Sequence, residues 1–205
     1  MRQFMRHRRF VPGRLLLALA LVLAVPALAG AAAWDIDPAH SVAMFKVRHL
    51  MVSNVPGEFG KVSGVVNYDP ADPSKSSVEA TIDTTSITTR QDARDKHLKS
   101  PDFFDVEKFP TMTFKSKKVE KAGEGKLKIT GDLTIKGVTK EVVLDVDGPL
   151  APVSAFGGMK SGATATTKIN RQDFGVSWNK TLDGGGVVVS DEVAITIDIE
   201  MSQKK

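Results

Sequence analysis

The sequence predicts an all-β protein: an antiparallel barrel of about eight strands carrying one short helix. Three observations point there. From Trp34 onward the apolar residues recur with a period of two, not 3.6. The runs are separated by turn chemistry, and one polar stretch, Thr89 to Lys99, breaks the alternation. Period two puts one face of each strand in a core and the other in water.

In the first long run Ala43, Phe45 and Val47 alternate with Met44, Lys46 and Arg48, which places His49 on the Phe45 face. Val62, Gly64, Val66 and Tyr68 share a face of the next run, and Asp69-Pro70-Ala71-Asp72-Pro73 then turns the chain. Val78, Ala80 and Ile82 alternate with Glu79, Thr81 and Asp83. After the polar stretch come Met112 and Phe114, the turn Ala122-Gly123-Glu124-Gly125, and the long face Leu127, Ile129, Gly131, Leu133, Ile135. Lys136-Gly137-Val138 turns into Val142, Leu144 and Val146. Val193, Ile195, Ile197, Ile199 and Met201 end the chain. A closed barrel removes the exposed edges of so many strands; a two-sheet sandwich is the alternative.

The polar stretch reads as a helical flap. Thr89-Arg90-Gln91-Asp92 has the form of a capping box, with Asp92–Lys96 and Asp95–Lys99 as i,i+4 pairs. Ser100-Pro101 then reads as a new N-cap and first helical residue. Leu98, Phe103 and Phe104 are the large apolar groups here. They anchor the flap to the barrel, line a cavity mouth, or both.

Residues 1–29 read as a secretory signal peptide. Arg2, Arg6, Arg8, Arg9 and Arg14 form a basic region, Leu15 to Val25 an apolar run, and Ala27-Leu28-Ala29 a cleavage site, with Ala31-Ala32-Ala33 as a second one. The apolar run is too short to span a bilayer. The expected product is a periplasmic, secreted domain over 34–205. The leader holds 5 of the 28 basic residues and none of the 24 acidic ones, leaving 23 against 24 and a net charge of −1. The pI of 9.2 therefore belongs to the leader, and no nucleic-acid partner is expected. Cysteine is absent, so the core alone must stabilise the exported domain.

Chemistry is sparse. Outside the leader, His40, His49 and His97 have no metal-ligand spacing, so neither a metal nor a cofactor is expected. No hydrolase signature or phosphate loop occurs, and Asp183-Gly184-Gly185-Gly186 reads as a loop before the last strand. What remains is a barrel with room in it. Ala43, Gly64, Ala80, Gly131 and one face of Gly162 to Thr166 are small inward positions, while Phe45, Phe59, Phe114 and Ile129 form apolar walls. Arg90, Arg94, Lys96, His97 and Lys99 on the flap are placed to meet a polar head group or to face solvent. A filled barrel predicts no cavity above about 300 Å³. An enzyme predicts an acid beside an interior histidine, with Asp83 and His49 the pair to inspect.

Several segments resemble the YceI-like family of bacterial periplasmic proteins. They are Phe45-Lys46-Val47-Arg48-His49-Leu50, Arg94 to Phe104, Lys108 to Phe114, Gly131 to Lys140 and Arg171-Gln172-Asp173-Phe174-Gly175. The resemblance implies an extended lipocalin-like barrel carrying a polyisoprenoid, isoprenoid quinone, fatty-acid derivative or similar lipid. It also implies no fixed catalytic set, a homodimer in many members, and transient membrane contact for a carrier. The candidate ligand-binding residues are Phe45, Val47, His49, Phe59, Phe103, Phe104, Phe114, Ile129, Phe174 and Trp178. The alternatives are a non-carrier stress or interaction module and an enzyme acting on a bound lipid.

Overall fold

The computed structural model describes residues 30–204; the leader reading lies outside the described residues. Its strands are β1 (Ala32–Ile36), β2 (Val42–His49), β3 (Ser53–Phe59), β4 (Val62–Tyr68), β5 (Ser77–Asp83) and β6 (Ile87–Thr88). Helix α1 (Asp92–Lys99) follows. Then come β7 (Thr111–Gly123), β8 (Lys126–Ile135), β9 (Val138–Asp147), β10 (Val153–Ala155), β11 (Gly158–Asn170) and β12 (Val189–Gln203).

The twelve strands are one sheet, ordered β10-β11-β9-β8-β7-β5-β4-β1-β12-β2-β3-β6, and β11 also pairs with β12. β12 thus has β1 and β2 on one edge and β11 on the other, the latter running from Lys160↔Ser202 to Asn170↔Glu192, and this joins the first strand to the last and closes the sheet on itself. Several strands are halves of one broken strand. β1 and β2 both lie on β12, and β4 and β3 lie opposite them in nearly continuous register. β5 and β6 flank a single 3₁₀ turn, and β9 and β10 both pair with β11. Counting each broken strand once gives a closed eight-stranded antiparallel barrel in meander order, as the alternation predicts.

The breaks have local causes. Pro38 has no N–H to give a ladder, and Asp37 Oδ1 instead accepts from Ala39 N at 2.9 Å. At Gly64 (φ +148°) a Cβ would strike the Glu79 carbonyl, so this glycine lets β4 and β5 approach closely. It contributes no interior volume, contrary to its reading as a small lining residue. On the outer face, Lys117 bridges Asp132 and Glu141 at 2.6 and 3.1 Å, and Lys128 meets Asp145 at 3.1 Å. Such exposed pairs align strands more than they stabilise them.

The flap is present, but it begins differently. The N-cap of α1 is Gln91, whose side chain accepts from Arg94 N, so the Thr89 capping box does not form. Thr89 is claimed by the tertiary structure instead. Its N–H and hydroxyl both donate to Asp95, which therefore is no partner for Lys99. Neither helical ion pair forms within 4.0 Å. Ser100 caps the end of α1, and its carbonyl accepts from Phe103 N and Asp105 N, so a second turn starts at once at Ser100-Pro101, without going on into a helix.

Candidate functional site

The inner face of the barrel encloses a cavity of about 680 Å³. That exceeds what a filled barrel allows and lies within the range of ligand pockets. Along β12 its lining runs from Val189 through Val193, Ile195, Ile197 and Ile199 to Met201. Those positions span about 40 Å of strand. The space is long rather than round.

All ten candidate residues line it: Phe45, Val47, His49, Phe59, Phe103, Phe104, Phe114, Ile129, Phe174 and Trp178. They come from different levels. Ile129 on β8 belongs to a packed cluster with Val119, Leu127, Leu144 and Val146, toward the barrel end away from the flap. Phe59, Phe103 and Phe174 belong to the larger cluster under the flap. Phe59 sits between Phe45 (centroids 5.7 Å) and Phe104 (5.4 Å, edge-on), so the flap's second aromatic extends the wall of β2 and β3. Phe103, His97 and Trp178 form a second group with centroids 5.0 to 5.3 Å apart.

Two rings owe their position to glycines. Phe45 pairs with Gly57 across β2 and β3, and its ring lies on the Gly57 backbone, where a Cβ would overlap it. The Phe114 ring lies on Gly131 in the same way. Gly131 therefore houses a ring and leaves no void of its own. The volume comes from Ala43, Ala80, Ala163 and Ala165, which do line the cavity.

At the flap end Gln91, Ala93 and Arg94 line the cavity while exposed to solvent, so the space reaches water beside the first turn of α1. The helix has no buried residue and is fastened by polar bonds. Arg94 Nε donates to Thr89 Oγ1 (2.6 Å) and Nη2 to Thr89 O (2.7 Å). Asp95 accepts from Thr88 and Thr89. Burial raises the Asp95 carboxyl, but the bonds from Thr89 and Thr88 outweigh it and hold it below the usual carboxylate range. Arg90 (φ +61°) and Asp105 (φ +49°) bracket the flap in left-handed conformations that non-glycine residues adopt at a cost.

The polar lining is mostly committed. Arg94 is spent on Thr89, and His97 Nε2 lies 2.8 Å from Asp102 Oδ2. Arg171 is buried and serves the fold: its guanidinium donates to the carbonyls of Val176 (2.6 Å), Trp178 (2.9 Å) and Ser190 (2.9 Å) and meets Asp191 at 3.2 Å. Burial pushes it below its ordinary value, with Asp191 opposing. This clamp, which shapes the segment holding Phe174 and Trp178, was not evident in the sequence. Arg90, Lys96 and Lys99 do not line the cavity. Asp83 does not either; it accepts from Thr85 and pairs with Lys61 at 3.5 Å, so the Asp83–His49 pair that the enzyme alternative would need is not formed.

Near the barrel's other end Asp37, His40 and Glu200 come together, a grouping that sequence spacing did not reveal. Lys160 Nζ sits 3.4 Å from Asp37 and 3.2 Å from Glu200 and supplies a cation there. The His40 imidazole and the Ala39 N–H hold Asp37 below the usual carboxylate range.

A closed antiparallel barrel with an elongated apolar interior and a helical flap defines a lipocalin-like protein. This chain belongs to the YceI-like family, whose domain model matches residues 34–201. A UPF0312 protein of Vibrio cholerae is 42% identical over 160 residues, covering 77% of this chain and 85% of the relative. BcnA of Burkholderia cenocepacia superposes with a TM-score of 0.69 at 28% identity, over 80% of this chain and 98% of BcnA. A polyisoprenoid-binding domain from Saccharophagus degradans shares the fold (TM-score 0.60, 15% identity, 84% and 99% covered).

Proposed function

We propose that this protein binds a long-chain apolar lipid, a polyisoprenoid, isoprenoid quinone or fatty-acid derivative, and carries it through the periplasm. The observation that carries this reading is the elongated, apolar cavity of about 680 Å³. Each methylene moved from water to such a wall is worth about 0.8 kcal/mol, so about ten or more offset much of the cost of association. Shared fold with a polyisoprenoid-binding domain supports the ligand class. The YceI-like family is of the binding type, and we read this member as a carrier rather than an enzyme.

The basic and apolar leader supports export. Cleavage after Ala29 keeps β1 whole, whereas cleavage after Ala33 removes Ala32 and Ala33, which pair with Tyr68 and Asn67. Release and loading proceed by movement of α1 during transient membrane contact, and a homodimer is an expected assembly. The test is native mass spectrometry of protein exported to the periplasm and purified without detergent, followed by solvent extraction. One long-chain lipid per chain is the expected result. Bare polypeptide that also fails to take up added quinone or isoprenyl phosphate overturns the carrier reading.

A further inference from the structure

The turn joining β2 to β3 sits at the flap end of the barrel, directly after the lining residue His49. Val52 N donates to His49 O at 3.1 Å, and both central residues have positive φ, Leu50 at 50° and Met51 at 62°. That pattern is a type I′ turn, a geometry favouring Asn-Gly. Here it holds leucine and methionine. Each non-glycine residue in that region costs about 1 kcal/mol or more. Neither side chain is buried in exchange: Leu50 and Met51, with Val52 after them, are 38, 53 and 75% exposed. Two bulky apolar residues are thus held in strained backbone and presented to water, beside a cavity mouth.

The surroundings say what covers them. Leu50 N donates to Val188 O, and Val188 N to Lys180 O, so Lys180 stands two strands from the tip while Arg48 precedes it. Neither Arg48 nor Lys180 lies within 4.0 Å of a carboxylate among the described residues, as is true of Lys46, Lys121 and Lys140 on the barrel wall, whereas Lys115, Lys117, Lys126, Lys128 and Lys168 are paired. An apolar tip with two cations behind it that no carboxylate neutralises, Arg48 giving only a long bond to Asn54 Oδ1 at 3.5 Å, matches acyl chains beneath phosphate head groups.

We propose that Leu50, Met51 and Val52 are a membrane-docking tip that inserts into the surface of a phospholipid bilayer and sets the cavity mouth against it. The proposal rests on the lipid-carrier reading, because such a cargo exchanges poorly through water and needs a mouth that meets the membrane. The competing surface is the opposite pole, where Phe156 (φ +50°) is fully exposed on the β10–β11 turn and Leu150 and Val153 are exposed on the same segment. The charged residues flanking that segment, Asp147 and Lys160, are already paired, with Lys126 and with Asp37 and Glu200.

The experiment is co-sedimentation of the processed chain from Gly30, which contains every strand, with vesicles of phosphatidylethanolamine and phosphatidylglycerol. The variant is Leu50→Asn with Met51→Gly, which installs the residues that a type I′ turn prefers and so leaves the fold at least as stable by thermal melt. Expected is vesicle binding by the parent, about a tenfold or greater loss in the double variant, and no loss in Phe156→Ser. Absence of binding by the parent, undiminished binding by the double variant, or loss in Phe156→Ser overturns the docking assignment. Solvent extraction of the same preparations reports cargo separately: a parent that binds vesicles through the tip yet takes up no lipid overturns the carrier reading and not the tip.

Discussion

Phe45 and Gly57 face each other across β2 and β3, and the Phe45 ring rests on the bare Gly57 backbone. The pair keeps a large aromatic flat against the wall and out of the lumen. Gly57→Ala is expected to push the ring inward, costing about 1–3 kcal/mol through overpacking. It should also reduce lipid retention. Urea denaturation and native mass spectrometry read the two effects, and an unchanged lipid load would show that the ring position does not limit capacity.

Phe45→Asp is expected to abolish lipid retention, because it puts a carboxylate against an apolar chain with no partner to compensate. His97→Ala should leave retention largely intact, since His97 sits at the flap among Phe103, Trp178 and Asp102. Native mass spectrometry of both variants decides it. Equal loss in both would assign ligand holding to the flap and not to the wall.

Acid should loosen the flap. The folded Asp95 carboxyl lies below its ordinary value, so its contribution is complete above the usual carboxylate pKa and disappears as pH falls through the depressed one. Protection of the Thr89 amide, which donates to Asp95 at 2.8 Å, is expected to persist at neutral and mildly acidic pH and to fall below about pH 4. Asp95→Asn should remove that pH dependence; amide exchange followed by NMR checks it.

Arg171→Lys should destabilise despite keeping the charge. One ammonium cannot reach the carbonyls of Val176, Trp178 and Ser190 together with Asp191. The groups left unsatisfied are expected to cost about 2–4 kcal/mol, read as a lower urea midpoint. Weakened fluorescence anisotropy at Trp178 should accompany it.

The barrel was legible because alternation is local: Val78, Ala80 and Ile82 announce their face without reference to any partner. The same locality explains the ten lining positions, which lie on inward faces, on the flap or in the loop before β12. The failures share the opposite cause. Thr89 has the composition of a helix cap, but Asp95, six residues on, and Arg94 claim its hydroxyl. Gly64 and Gly131 look like interior space until the Glu79 backbone and the Phe114 ring are brought against them. Arg171 reads as one more charge in a polar turn, and its burial depends on carbonyls as distant as Ser190. Asp37 and Glu200 meet only because the sheet closes.

That closure has a consequence for how the chain is made. The first strand lies beside the last, with Trp34 opposite Gln203 and Lys204 N donating to Ala33 O at 2.9 Å. During synthesis or translocation, the leading end must wait for the trailing end before its second edge is satisfied. Sequence separation between these partners is nearly the whole domain, which makes the final pairing entropically slow. Without that pairing the sheet has two open edges and encloses no lumen. Without β12, strands β1 and β2 on one side and β11 on the other would each keep an unpaired edge, and no closed cavity would lie between them.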